Sequence, residues 1–223
     1  MSIVWVIALG ACSVIFFAVY LLFSLKNYQK RFSERYDLRN HFPYEFNFSS
    51  HFSDNILGNT ALIFQTAISI SFYAIALAYT NKDGIIYAII ASGILYSLLN
   101  CAVNFVPLKT IRFHLSVSII LFVCSFFLPA SIALAFFRHY QLAVDTLSLV
   151  MFIVSLVVAL FNFVLVMNPK LSLSIKMNIG IDEKGNEYYV RPKFIMMAFT
   201  EWLMIISFFI DSVLFIILMN LIK

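Results

Sequence analysis

Six apolar stretches, each long enough to cross a bilayer, follow one another along this chain of 223 residues. They occupy roughly 3–23, 56–79, 85–106, 113–137, 143–167 and 194–222. A helix of about 20 apolar residues crosses the ~30 Å hydrocarbon layer. Inside that layer every backbone N–H and C=O has to find its partner within the protein, so continuous apolar runs of this length fold as helices. A membrane barrel needs short alternating strands, and these runs do not alternate. Composition agrees: 62% of residues are hydrophobic and 12% charged, against about 25% charged in soluble domains. The chain is therefore expected to be an all-α integral membrane protein. It reads as one polytopic domain over 1–223, a six-helix transmembrane bundle with longer polar segments at 24–55 and 168–193.

The fifteen Lys and Arg residues are divided unevenly among the connections. Numbering the connections alternately, twelve fall on one side, from Lys26, Lys30, Arg31, Arg35 and Arg39 through Lys109 and Arg112 to Lys170, Lys176, Lys184, Arg191 and Lys193. Lys82, Arg138 and Lys223 are the three on the other. Cytoplasmic loops retain basic residues, which predicts that both termini lie outside the cytoplasm. Basic flanks of this kind orient the chain and meet anionic head groups, so the expected partner is the lipid bilayer and no nucleic acid. Abundant Phe, Ile, Leu, Asn and Lys fits an AT-rich genome and suggests the bacterial cytoplasmic membrane. Leu9-Gly10-Ala11-Cys12 loosely matches a lipoprotein cleavage box, but apolar chain continues beyond it, so the first stretch reads as a retained span. Cys12, Cys101 and Cys124 all fall inside spans, where they read as small apolar residues. No cofactor or metal set is expected.

The connections carry their own signals. Span one should continue as helix to Tyr36, with Tyr28, Phe32 and Tyr36 on one face. Aromatics then occupy every second position from Phe42 to Phe48, which fits an extended segment at the head groups or a short strand. Pro129 should bend span four or open its hydrogen-bond ladder. Strict alternation from Leu171 to Asp182, turn chemistry at 182–186 and a return to Arg191 predict a small cytoplasmic β-hairpin between helices 5 and 6. An isolated hairpin is marginal, so its apolar face needs support: the aromatic run, the bundle end or a protein partner at Leu171 to Arg191.

Polar residues recur on single helical faces inside the spans. Gly58, Ala61, Gln65 and Ser69 share one face; Gly93, Ser97, Asn100, Cys101 and Asn104 share another. Asp145, Ser148, Ser155, Ala159 and Asn162 form a third, and Thr200, Ser207 and Asp211 a fourth. Such seams ordinarily let helices approach and bond across their interface. With the predicted topology, Gln65, Asn100, Asn104, Asn162 and Glu201 all fall in the inner half of the membrane and define a candidate inner polar pocket. An ionisable group at that depth is costly unless protonated, paired or wetted, which singles out Glu201. Asp211, Asp145, Arg138 and His139 form a candidate outer charge cluster, read as a clamp on helix ends or as a vestibule attracting cations. His114, near Lys109 and Arg112, reads as an interfacial residue.

Protease, hydrolase and phosphate-loop motifs are absent, as are a voltage-sensor arginine ladder and a potassium-filter sequence. The leading expectation is a non-enzymatic accessory, assembly or sensory component working through its cytoplasmic surface. The alternative is a small transporter or channel using the pocket around Glu201. A membrane-embedded lipid-modifying enzyme ranks last, because no nucleophile or metal set can be assembled.

Overall fold

The computed structural model describes residues 4–47, 52–78, 83–106, 111–168, 178–181 and 187–222. Six helices among them are long and apolar enough to cross a membrane. These are α1 (Val4–Phe32), α2 (Ile56–Ile75), α3 (Gly84–Phe105), α4 (Ile111–Ala143), α5 (Thr146–Val166) and α6 (Met196–Leu221). The protein is thus an integral membrane protein built of helical spans. Local chemistry sets several helix ends. The Asp83 side chain accepts from the Ile85 N–H at 3.0 Å to start α3, and Asp145 accepts from the Ser148 N–H at 2.7 Å to start α5; both satisfy a first-turn donor that the helix itself leaves free. α1 stops at Phe32 because Ser33 turns into the left-handed region, with φ of 55°.

Each of the first five helices packs on its neighbour in sequence, and α6 returns to touch α1, α4 and α5. α6 is the central element: 61% of its most apolar window is buried, against 17% for α5. Its Phe208 and Phe215 meet Tyr73 of α2, and Phe208 also meets Tyr96 of α3. α2 and α3 approach closely at Gly93, where a methyl group would meet the Tyr73 ring at 2.5 Å.

Two connections differ from what the sequence suggests. α1 does not continue to Tyr36; the chain turns at Ser33, yet the Tyr28 and Tyr36 rings still meet edge-on at 5.0 Å. The described part of the aromatic run, as far as Asn47, is neither extended nor a strand. Pro43–Asn47 forms a short 3-10 helix with all five residues buried, because the chain folds back over the bundle end and packs its rings inward. Outside the helices, β1 (Asn178–Ile181) pairs antiparallel with β2 (Glu187–Val190), Asn178 opposite Val190 and Ile181 opposite Glu187. The remainder of the alternating run, 171–177, and the 182–186 turn lie outside the described residues.

α4 runs unbroken through Pro129. Proline has no N–H to offer the carbonyl four residues back, which is that of Ser125. Asn162 of α5 takes its place, donating Nδ2 to the Ser125 carbonyl at 2.7 Å and to the Ser207 hydroxyl of α6 at 2.8 Å. One amide therefore ties three helices together at the point where proline leaves an acceptor free.

Candidate functional site

The segment 36–47 is fastened to the start of α6. Ile195 N–H donates to the Arg39 carbonyl at 2.8 Å, and the Trp202 indole N–H reaches the His41 carbonyl at 3.0 Å and the Tyr36 hydroxyl at 3.2 Å. Tyr36 in turn donates to the Phe42 carbonyl at 2.7 Å. Arg191 grips the buried Glu45 carboxylate with both terminal nitrogens, at 2.7 and 2.9 Å. Burial works against the Arg191 charge, but the hydrogen bonds it donates to the Glu45 carboxylate prevail and lift its pKa above the ordinary value. Burial also pushes the Tyr36 and Tyr44 phenols up, which keeps both neutral.

Beneath this cover sits His114, fully buried, with the Phe42 and Tyr44 rings edge-on at 6.1 and 5.4 Å. The sequence suggests an interfacial histidine, but the 3-10 turn roofs it over. Its Nδ1 lies 2.7 Å from the Val106 carbonyl and its Nε2 3.1 Å from Glu201 Oε1. The Ser118 hydroxyl, one turn along α4, donates to the same oxygen at 2.8 Å. Because a carbonyl only accepts, Nδ1 must carry hydrogen. Nε2 and Oε1 then attract only if one proton lies between them, on the acid or on the imidazole. The pair is a buried one-proton site. Among the described residues no hydrogen bond joins Ser118 to His114, so the three do not form a nucleophile relay.

From Glu201 a polar seam continues between α4, α5 and α6. Ser118 and Ser125 on α4, Asn162 and Ser155 on α5, and Thr200 and Ser207 on α6 each repeat at seven residues, two helical turns, and so share a face. The cross-helix bonds at Ser118–Glu201 and at Asn162 bring these faces together. Asp211, four residues beyond Ser207 and ~15 Å from Glu201 along α6, is fully buried with neither carboxyl oxygen bonded. The hydroxyls of nearby Tyr73 and Tyr96 are engaged by Ser212 and by the Met204 carbonyl. Glu201 Oε2, Thr200 Oγ1, Asn162 Oδ1 and Ser155 Oγ are buried and unpaired as well. Unpaired buried oxygens are costly, and nearly all buried polar groups in proteins have a partner. Their concentration along one seam gives it the chemistry of a path for water, a proton or a small polar solute.

The expected inner pocket separates into local groups. Gln65 donates to Ser13 at 3.2 Å and Ser69 at 2.9 Å, sewing α2 to α1. Asn104 accepts from the Tyr20 hydroxyl, donates to the Asn100 carbonyl at 2.7 Å, and receives Asn47 on its own carbonyl at 3.0 Å. The Asn100 side chain is buried and unpaired. Among the described residues no hydrogen bond joins Gln65, Asn100 or Asn104 to Glu201; of the four amides, Asn162 alone is placed in the seam with it. The expected outer cluster separates too. Arg138 pairs with Asp83, and His139 lies 3.2 Å from Asp145 and 2.9 Å from the Ser148 hydroxyl. Ser148 holds the Asp145 carboxyl below its ordinary pKa. These contacts join helix ends, whereas Asp211 is fully buried within the bundle, near Tyr73 of α2 and Tyr96 of α3. No three His, Cys, Asp or Glu side chains converge among the described residues. Comparison of the chain with protein-family models, curated proteins and solved structures finds no match.

Proposed function

We propose that this protein is a small proton-linked transporter or channel whose path is the α4–α5–α6 seam. The observation that carries this reading is the pair of fully buried carboxyls on α6, Glu201 and Asp211, with no Lys or Arg bonded to either among the described residues. Ionisable groups inside a membrane are costly and characteristically mark ion or proton pathways. In this account His114 and Glu201 exchange their shared proton with the cytoplasmic side. Ser125, Asn162 and Ser207 line the middle, and Asp211 serves the outer half. The basic connections would face the cytoplasm, in the bacterial cytoplasmic membrane, with both termini outside. Glu201→Gln keeps the size and the Ser118 contact but cannot ionise. In proteoliposomes it is expected to abolish a pH-driven flux that wild type supports, and equal flux from the two would refute the proposal.

A second reading, a non-enzymatic accessory, assembly or sensory component, draws on the β1–β2 ladder. Ile179 is 61% exposed and Val190 38% exposed there, so a protein partner could cover them. Deleting 171–190 should then release a co-purifying partner and leave flux unchanged. Against this reading, the aromatic face of 36–47 is already spent on the chain's own α6.

A further inference from the structure

A groove of about 880 Å³ runs along the outside of the bundle between α1 and α6. Phe17, Leu21 and Leu25, each one turn apart, form one wall, and Phe199, Trp202 and Ile206 form the other. The helices close the deep end, where the Phe17 and Phe209 rings meet at a tilt with centroids 4.4 Å apart. From Phe17 to Gln29, also in the lining, is ~18 Å along α1, comparable with one leaflet of the ~30 Å hydrocarbon core. At the other end the chain turns over the mouth and presents Arg35, Asp37 and Arg39.

The charges at that mouth do not cancel. Asp37 accepts from Arg39 Nε at 3.0 Å and from Nη2 at 2.7 Å, which neutralises Arg39. Glu34 is bonded to the Tyr28 hydroxyl at 2.8 Å and lies 3.7 Å from His41. Arg35 is exposed and makes no ion pair or side-chain hydrogen bond among the described residues. The one polar group of the apolar walls, the Trp202 N–H, is already engaged twice. A groove that is apolar over one leaflet and ends at an unpaired guanidinium complements a molecule with an acyl tail and a phosphate. The planar guanidinium fork matches phosphate oxygens in pairs.

We propose that this groove holds an acyl chain of an anionic glycerophospholipid from the surrounding bilayer, with the phosphate on Arg35. The site is separate from the α4–α5–α6 seam and stands whether or not that seam conducts.

The test is native mass spectrometry of delipidated, detergent-solubilised full-length protein. It is titrated in turn with phosphatidylglycerol, phosphatidylcholine and inorganic phosphate. One phosphatidylglycerol should be retained in preference to phosphatidylcholine. Arg35→Gln should weaken that retention about fivefold, as expected for one basic residue facing an anionic lipid. Leu21→Trp should fill the groove and displace the lipid; should that variant fail to fold, the exposed Arg35→Gln decides alone. Equal retention of the two lipids, binding of inorganic phosphate as tight as that of the lipid, or undiminished binding by Arg35→Gln would each overturn the proposal.

Discussion

Replacing Asn162 with Leu should damage the bundle in a way that replacing Pro129 partly repairs. Asn162 is fully buried and its NH2 group makes two cross-helix bonds, to the Ser125 carbonyl and the Ser207 hydroxyl. Interhelical side-chain hydrogen bonds in membranes are worth about 0.6 kcal/mol on average and up to about 1.7. Two such bonds, one of them to a carbonyl left without its helical donor, give an expected cost of about 1–3 kcal/mol. Pro129→Ala restores an N–H opposite Ser125, so in the double variant that carbonyl is satisfied within α4. The double variant should therefore lie about 1 kcal/mol above the sum of the single changes, while the Ser207 share of the loss remains. Reversible unfolding in mixed micelles, followed by Trp202 fluorescence, reads all four corners of the cycle. Strict additivity would refute the claim that Asn162 substitutes for the donor missing at Pro129.

Other substitutions probe the packing and the roof of the site. Gly93→Ala should cost about 1–3 kcal/mol by overpacking against the buried Tyr73 ring, whereas Gly84→Ala, with open space around it, should not destabilise; paired thermal melts compare them. Arg191→Ala leaves the Glu45 carboxylate buried without its guanidinium and should cost about 2–3 kcal/mol, read by chemical unfolding. The Arg39 hydrogen bonds hold the Asp37 carboxyl down at about 2, from 3.8. A depressed acid adds stability above its unfolded pKa and loses it as pH falls through the folded one, so the contribution fades between about pH 4 and pH 2. With the side chain 32% exposed, solvent screening keeps it below about 1 kcal/mol. Asp37→Asn should show that small deficit at pH 7 and none near pH 2, measured as unfolding midpoints across pH.

The spans were legible because hydrocarbon thickness and backbone pairing leave a long apolar run almost no alternative to helix. Their limits differ from the expected ones mainly at α1 and α4, where polar residues such as Lys30 and Arg138 sit on helix that extends past the apolar run. The seam was half legible: Glu201 and Asn162 stand out as polar groups in apolar surroundings, and the Thr200, Ser207 and Asp211 stripe is plain. Its other side was not. His114 lies beside Lys109 and Arg112 in sequence, and its burial depends on the fold-back of Pro43–Asn47, a long-range event with no local signal. The seven-residue spacing of Ser118 and Ser125, with His114 one turn before, was the available clue. Similar depth also proved a poor guide to contact. Gln65 and Asn104 share the expected depth of Glu201, but the angular position of each helix sends them to Ser13 and Tyr20 instead.

The proposed path requires Glu201 and Asp211 to act in series. Proton flux after an acid jump, measured side by side in proteoliposomes of wild type, Glu201→Gln and Asp211→Asn at matched protein content, tests it most directly. Both variants are expected to lose at least about tenfold of the wild-type flux, equivalent to about 1.4 kcal/mol on the barrier, while remaining folded. Flux that survives in Asp211→Asn but vanishes in Glu201→Gln, or that persists in both, would contradict it.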